Sequence, residues 1–505
     1  MRCQGGGTIK FRLHCIRRER ASGTVRFSQA FSLDKSQCEL DFVDVFVDDD
    51  LLVFVDPFAL SRRRDDWSRT AHETVVAFFQ RIVDKIREGN EQEARDLLSF
   101  LREPSETHLG HSKGHAHGAG IGRLQADHLF EALSASSAVR TGFIQSIQDC
   151  ELMVDDISHD KISDITTNVI RSHLAAYTKQ QCDLLGVPTR TVALPPAYDP
   201  ARAEWASAYA DLPVHNDERL LLVPKAIVRT NPAYSADRYY RHHVLEFLQA
   251  EVLDGRTSLA KSLSYLVHEK RNGEKRVTKK SLADKFPISK AFLAKFSADN
   301  PQVLERYKET LKVRARSVHA PMTDEDEGLI AGAIGAALKD LPPGRDHASA
   351  YHKLMTGAVE LLLFPHLIHP RVEWEIHEGR KRIDIVMAND SQNGVFWRIP
   401  NHRKIHAGIV VIECKNYSDD VANPEFDQLA GRFSDARGRL GLLMCRTFDD
   451  RALVIRRCRD TFTDGRGLVL PMNDEFVLRM LAHVEGGTRQ EIDKLLSDLV
   501  AEVAD

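Results

Sequence analysis

The chain has 505 residues, more than one hydrophobic core organises, so two or three domains of roughly 150 residues each are expected. Hydrophobic residues make up 43% and charged residues 28%, with a net charge of only -4, which excludes a largely disordered chain. No apolar run reaches the ~18–20 residues of a membrane span, MRCQGGGTIKFRLHC lacks a signal-peptide core, and the eight cysteines form no CxxC pair, which points to a reducing cytoplasm.

LDFVDVFV and LLVFVDPF read as short strands, with Asp48–Asp50 as the turn of a hairpin. From Trp67 to about Leu101 the period is helical, and Val75, Val76, Phe78, Phe79, Ile82, Val83 and Ile86 make one apolar face. LGHSKGHAHGAGIG (109–122) is rich in glycine and histidine. His108, His111, His115 and His117 are candidate metal ligands there, set against a structural turn ahead of a helix near 123–135. No GxxxxGK[ST] follows and no strand immediately precedes the glycines, so nucleotide-binding loops are excluded. Asp155, Asp156, Asp160 and Asp164 suggest either a second acidic site or, preferably, caps and turns at the start of a 164–186 helix. A buried strand is expected at Leu220–Val223, followed by a lysine-rich helical stretch over 234–316. Within it, VTKKSLADKFPISKAFLAKF (277–296) has the form of a helix-turn-helix, with Ser289 as a cap and Lys290 and Lys295 available to phosphate.

SVHAPMTDEDEG (317–328) has the acidic, Pro-containing character of a linker. It separates a 1–316 recognition, sensor or regulatory region, with a sub-boundary allowed near 230, from a 329–505 domain. There a helix over 347–363 precedes strands at Val372–Ile376, Arg382–Met387 and Gly408–Cys414. A helix over 424–437, a strand at Leu440–Cys445 and a helix from about Asp449 follow. This order implies an α/β fold, a mixed sheet in an α/β/α layer domain, after a mixed α/β to mainly helical amino-terminal region.

Strand ends in this domain carry the chemistry. Glu413 and Lys415, in IVVIECKNY, are two residues apart and project to one face, while Cys414 points to the other. Asp384, in RKRIDIV, sits on the preceding strand. Two carboxylates on adjacent strands suit Mg²⁺, which keeps several waters, and a lysine beside them can stabilise charge developing on a phosphate.

The frame IDIV…IVVIECK resembles the PD-(D/E)xK nuclease superfamily, of restriction-endonuclease-like fold, with Ile383 in place of the proline. The resemblance covers about residues 345–470 and implies metal ligation by Asp384 and Glu413 and a catalytic Lys415. It also implies a third acidic contributor in Glu360 and, as in Mrr-like members, a site-facing Gln428. Residues 389–408 are an insertion, expected as a loop or hairpin.

Arg382, Arg398, Arg403, Lys404 and Arg432 crowd the same segment and are the expected nucleic-acid contacts. Phe396 and Trp397 are candidates to stack on a base. The expectation is a Mg²⁺-dependent endonuclease, with Mn²⁺ able to substitute, acting on DNA in prokaryotic defence or restriction. A homo-oligomer is expected on symmetry grounds, with partner proteins of a defence system allowed and no membrane partner. The rival is a non-catalytic nucleic-acid-binding or effector-sensing protein that retains the fold.

Overall fold

Beyond residue 326, apolar runs bounded by turns build a five-stranded mixed sheet packed by helices in the computed structural model. Described residues are 25–110, 121–230, 233–269, 275–314, 327–376, 381–435 and 437–505. The elements are α1 (Glu327–Asp340), α2 (Ala348–Leu363), β1 (Leu367–Ile376), β2 (Lys381–Asn389), α3 (Gly394–His402), β3 (Ile409–Lys415) and α4 (Asn423–Ala430). They continue as β4 (Leu440–Cys445), α5 (Arg451–Thr463), β5 (Leu468–Asn473), α6 (Asp474–Glu485) and α7 (Glu491–Ala504).

Strand order is β5-β4-β3-β2-β1. β1, β2 and β3 run antiparallel in turn, whereas β3, β4 and β5 are parallel, joined by crossovers that carry α4 and α5. Val410, Val411, Ile412, Leu440, Leu442, Leu443 and Met444 are wholly buried. Burial on both faces is why these central strands read as continuous apolar runs instead of alternating ones.

The insertion differs from expectation. It holds helix α3, which places Val395, Phe396 and Ile399 in the core and leaves Phe396 only 1% exposed. Phe396 therefore serves packing and is not offered to a base. Helix α4 ends at Ala430, seven residues before the expected limit at 437.

Two units divide the chain, one of residues up to Asp49 with those from Thr323, the other Asp50–Met322. The two apolar segments expected as a hairpin thus fall in different units, parting at the aspartates expected to form the turn. Within the first unit, Asp41 accepts the His369 backbone N–H at 3.0 Å and meets its ring at 2.9 Å. Asp44 accepts from both the backbone and hydroxyl of Ser28. These buried aspartates tie the segment down by side chains, and its backbone pairs briefly with residues 25–27, through Phe27 N–H to the Val45 carbonyl and Val47 N–H to the Val25 carbonyl, both at 2.8 Å.

In the second unit the expected 67–101 helix is two, Asp66–Arg87 and Glu91–Leu98, separated at Gly89, whose φ of +74° suits glycine. The expected 164–186 helix is also two, His159–Val169 and Arg171–Leu185. Leu220–Val223 is buried but forms no strand, and an unforeseen hairpin pairs Arg190–Asp199 with Glu204–Leu212. Helices Lys279–Lys285 and Lys290–Asp299 flank the expected turn, and Ser289 caps the second through its hydroxyl. His111, His115, His117 and residues 317–326 of the expected linker lie outside the described residues. Among the described residues no helix is long and apolar enough to cross a membrane.

Candidate active site

The β2–β3 register ends with Ile385 opposite Ile412, and Asp384 and Glu413 follow just past this last pair, close enough for each charge to act on the other. Asp384 is held in place twice: its carboxylate accepts the Cys414 N–H at 2.9 Å, and the His352 ring of α2 lies 3.1 Å from its carbonyl oxygen.

Glu413 is 1% exposed and carries a cation on each oxygen. Lys415 Nζ is 3.3 Å from Oε2, and Arg432 Nε is 2.8 Å from Oε1. Burial and the Asp384 charge raise the Glu413 carboxyl, Lys415 and Arg432 pull it back, and the outcome is a pKa of about 7. Burial works against the Lys415 ammonium, but the charges of Glu413 and Asp384 outweigh it and hold that pKa above the ordinary value. The site therefore keeps a charged lysine beside a carboxyl that ionises near neutrality.

Two structural devices fix this arrangement. In the first, Phe433 packs where Gly441 opens β4 and Gly467 precedes β5. A Cβ at Gly441 would meet the Phe433 ring at 2.9 Å, and one at Gly467 would meet it at 2.5 Å. Both positions must be glycine for the turn carrying Arg432 to come this close. In the second, Asn416, next after Lys415, donates to the carbonyls of Pro342 and Gly344 and accepts from Arg446. Arg446 also pairs with Asp474 at 2.7 Å, and Tyr351 donates to the same carboxylate at 3.2 Å. This network anchors the end of β3 and so limits where Lys415 can point.

The other expected residues have varied surroundings. Glu360 is wholly buried in α2, the helix that packs on β1 and β3. Gln428 is exposed on α4, while Phe426 and Leu429 face the core. Arg432, expected as a surface phosphate contact, is only 6% exposed and belongs to the site itself. Arg398 pairs with Asp493 at 2.9 Å and Arg403 with Asp505 at 2.8 Å, so both are engaged along the last helix. Lys404 is exposed, and the Arg382 side chain lies outside the described residues. The Trp397 ring sits against His402, edge to face at 5.2 Å. In the second unit Lys295 is exposed, but Lys290 is bound to the Ile157 carbonyl at 2.6 Å and is structural.

Sequence reasoning missed Arg432 as a member of the site and the Asn416–Arg446–Asp474 network altogether. The available signal for Arg432 was its place beside an aromatic, ahead of glycines that open two successive strands.

Among the described residues no group of three or more His, Cys, Asp or Glu side chains forms a ready metal cage. Mg²⁺ needs none, since it binds through one or two carboxylates and completes its shell with waters and substrate phosphate. Asp384 and Glu413 supply hard oxygen donors, and Oε1 of Glu413 is buried without a hydrogen bond among the described residues. The donor set fits such an ion.

Residues 32–235 match the model of a family described as a domain of unknown function (DUF8370), a span that ends before this sheet begins. Comparison with curated proteins and with solved structures gives no match.

Proposed function

We propose that this chain is a Mg²⁺-dependent endonuclease of the PD-(D/E)xK type that hydrolyses phosphodiester bonds in DNA. The observation that carries the reading is the meeting of Asp384 and Glu413 at the end of the β2–β3 pairing, with Lys415 two residues on and 3.3 Å from Glu413. The helix–strand–strand–helix–strand–helix–strand order, with α3 inserted before β3, and the antiparallel-then-parallel sheet support the restriction-endonuclease-like fold.

Asp384 and Glu413 would hold the ion through carboxylate oxygens, with Mn²⁺ an acceptable substitute. Bound there, Mg²⁺ supplies Lewis-acid polarisation of a phosphoryl oxygen. The Cys414 N–H aims Asp384, and the Asn416 anchor keeps the end of β3 from drifting. Lys415 places its ammonium where charge builds on the phosphate, an interaction that grows toward the transition state. Glu360 and Gln428 hold supporting rather than central places in this scheme. A role in prokaryotic defence or restriction, action as an oligomer, and regulation by the larger unit are parts of the same proposal.

One observation favours a second reading, a fold kept for binding without catalysis: Glu413 already has a cation on both oxygens, and Gln428 is turned to solvent. Incubating supercoiled plasmid with the protein separates the two. Nicking or linearisation with Mg²⁺, stopped by chelation and absent in Glu413→Gln, is the expected result. Cleavage by Glu413→Gln at the wild-type rate would overturn the assignment.

A further inference from the structure

We infer that Arg432 is a placeholder for the metal ion, holding Glu413 while the ion is absent and turning to the scissile phosphate when the ion binds. The inference rests on the nuclease reading and deepens it. Its first support is burial. Arg432 is 94% withdrawn from solvent by its 6% exposure, and Phe433, seated on Gly441 and Gly467, fixes the turn that carries it. Its own carbonyl accepts the Arg437 Nε–H at 3.0 Å, which helps hold the backbone of that turn.

The second support is hydrogen bonding. Nε lies 2.8 Å from Glu413 Oε1, yet Nε, Nη1 and Oε1 are all buried without a hydrogen bond among the described residues. The contact is one of charge, poorly aligned, and most donors of the guanidinium fork are unspent. A buried, unspent fork is costly unless an anion completes it, and phosphate oxygens are its best geometric match.

The third support is charge balance. With both carboxyls ionised, Asp384 and Glu413 against Lys415 and Arg432 sum to zero, so the site is then neutral with no ion present. A dication adds a surplus of two positive charges. A phosphodiester attacked by hydroxide carries two negative charges, so the loaded site matches the transition state only if both cations remain. The same oxygen of Glu413 cannot serve Arg432 and the ion equally, so the guanidinium must yield it.

The test measures Mn²⁺ affinity by calorimetry and single-turnover DNA cleavage on one preparation at pH 8.5, with melting temperature alongside. Arg432→Gln should bind Mn²⁺ about tenfold more tightly, because a competitor for the carboxylate is gone. It should also cleave about a hundredfold more slowly, as for loss of one charge-stabilising donor. Arg432→Lys, which keeps the charge but loses the fork, should retain wild-type Mn²⁺ affinity and show an intermediate rate. Affinity and rate moving in opposite directions is the signature that a purely structural arginine does not give. Unchanged affinity and rate in Arg432→Gln overturn the inference, as does loss of both together with melting temperature. If Arg432→Gln does not fold, Arg432→Lys decides: a slowed rate with intact Mn²⁺ binding supports the placeholder, and wild-type behaviour overturns it. A wild-type protein that neither binds Mn²⁺ nor cuts DNA removes the nuclease reading and this inference with it. A wild type that does both beside an unaltered Arg432→Gln removes only the inference.

Discussion

Each unit crowds carboxyl groups together, but only the sheet unit sets cations against the crowding. In the second unit, Asp164 is raised to about 8 by burial and then by Asp160, Glu103 and Asp50, all of which push the same way. Glu103 is raised likewise, by burial and by Asp50 and Asp160. In the sheet unit, burial and Asp384 also raise Glu413, but Lys415 and Arg432 pull against them and the result is about 7. A carboxyl pressed only by burial and like charges keeps its proton at neutral pH. One flanked by cations is held nearer neutrality, where a bound metal ion readily displaces the remaining proton. Crowded acids are therefore not by themselves a site; the cations built against them make the difference.

The sharpest way to break this comparison is to remove one carboxylate from each cluster. Asp384→Ala should abolish both Mn²⁺ binding and plasmid cleavage, whereas Asp164→Asn, which mimics the protonated acid, should leave both at wild-type levels. Calorimetry with a cleavage assay checks the pair, and loss of metal binding in Asp164→Asn would reverse the assignment of the two clusters.

A smaller effect is expected at Lys415. Lys415→Ala should slow single-turnover cleavage by about a hundredfold while DNA affinity changes only a few-fold, because the interaction matters chiefly in the transition state. A several-fold loss of affinity with an intact rate would make Lys415 an ordinary phosphate contact. Joint loss of melting temperature and Mn²⁺ affinity would make it only a structural partner of Glu413.

The smallest effect concerns pH and stability. Asp164 releases its proton near the ordinary value of 3.8 when unfolded but only at about 8 when folded. Between those values the folded state binds more protons, so this contribution to stability is full below about pH 4 and is lost as pH rises through 8. Glu413 behaves alike over a narrower window, from its ordinary 4.5 to about 7. The melting temperature should thus decline between pH 5 and pH 9, and Asp164→Asn should flatten most of that decline. Added Mn²⁺ should offset only the Glu413 part, by binding its ionised form. An identical pH slope in Asp164→Asn would remove the second cluster from the comparison.

How much of this was legible in the sequence follows from how local each cause is. β3 and β4 were legible because burial on both faces leaves an unbroken apolar run, and Glu413 and Lys415 because a strand fixes the face of residues two apart. The pairing of Asp384 with Glu413 followed from adjacent strands, though their register did not. Helix α3 was hidden by Pro400 and a polar surround, and its apolar residues Val395, Phe396 and Ile399 are too few to force a period. The Arg190–Asp199 hairpin was masked by Pro195 and Pro196, which the irregularity between Leu194 and Ala197 absorbs. Asp41 finds its partner His369 at a separation of 328 residues, beyond any local pattern. Arg432 was legible as a basic residue but not as a buried one, since its place depends on glycines in two later segments.

The central claim is that Asp384 and Glu413 share one divalent ion. Anomalous diffraction from crystals soaked in Mn²⁺ tests it most directly. The account predicts a peak about 2.1 Å from a carboxylate oxygen of each residue, with the Arg432 guanidinium moved off Glu413 Oε1. A peak elsewhere with this pair untouched, or a Glu413–Arg432 contact unchanged at saturating Mn²⁺, would contradict it.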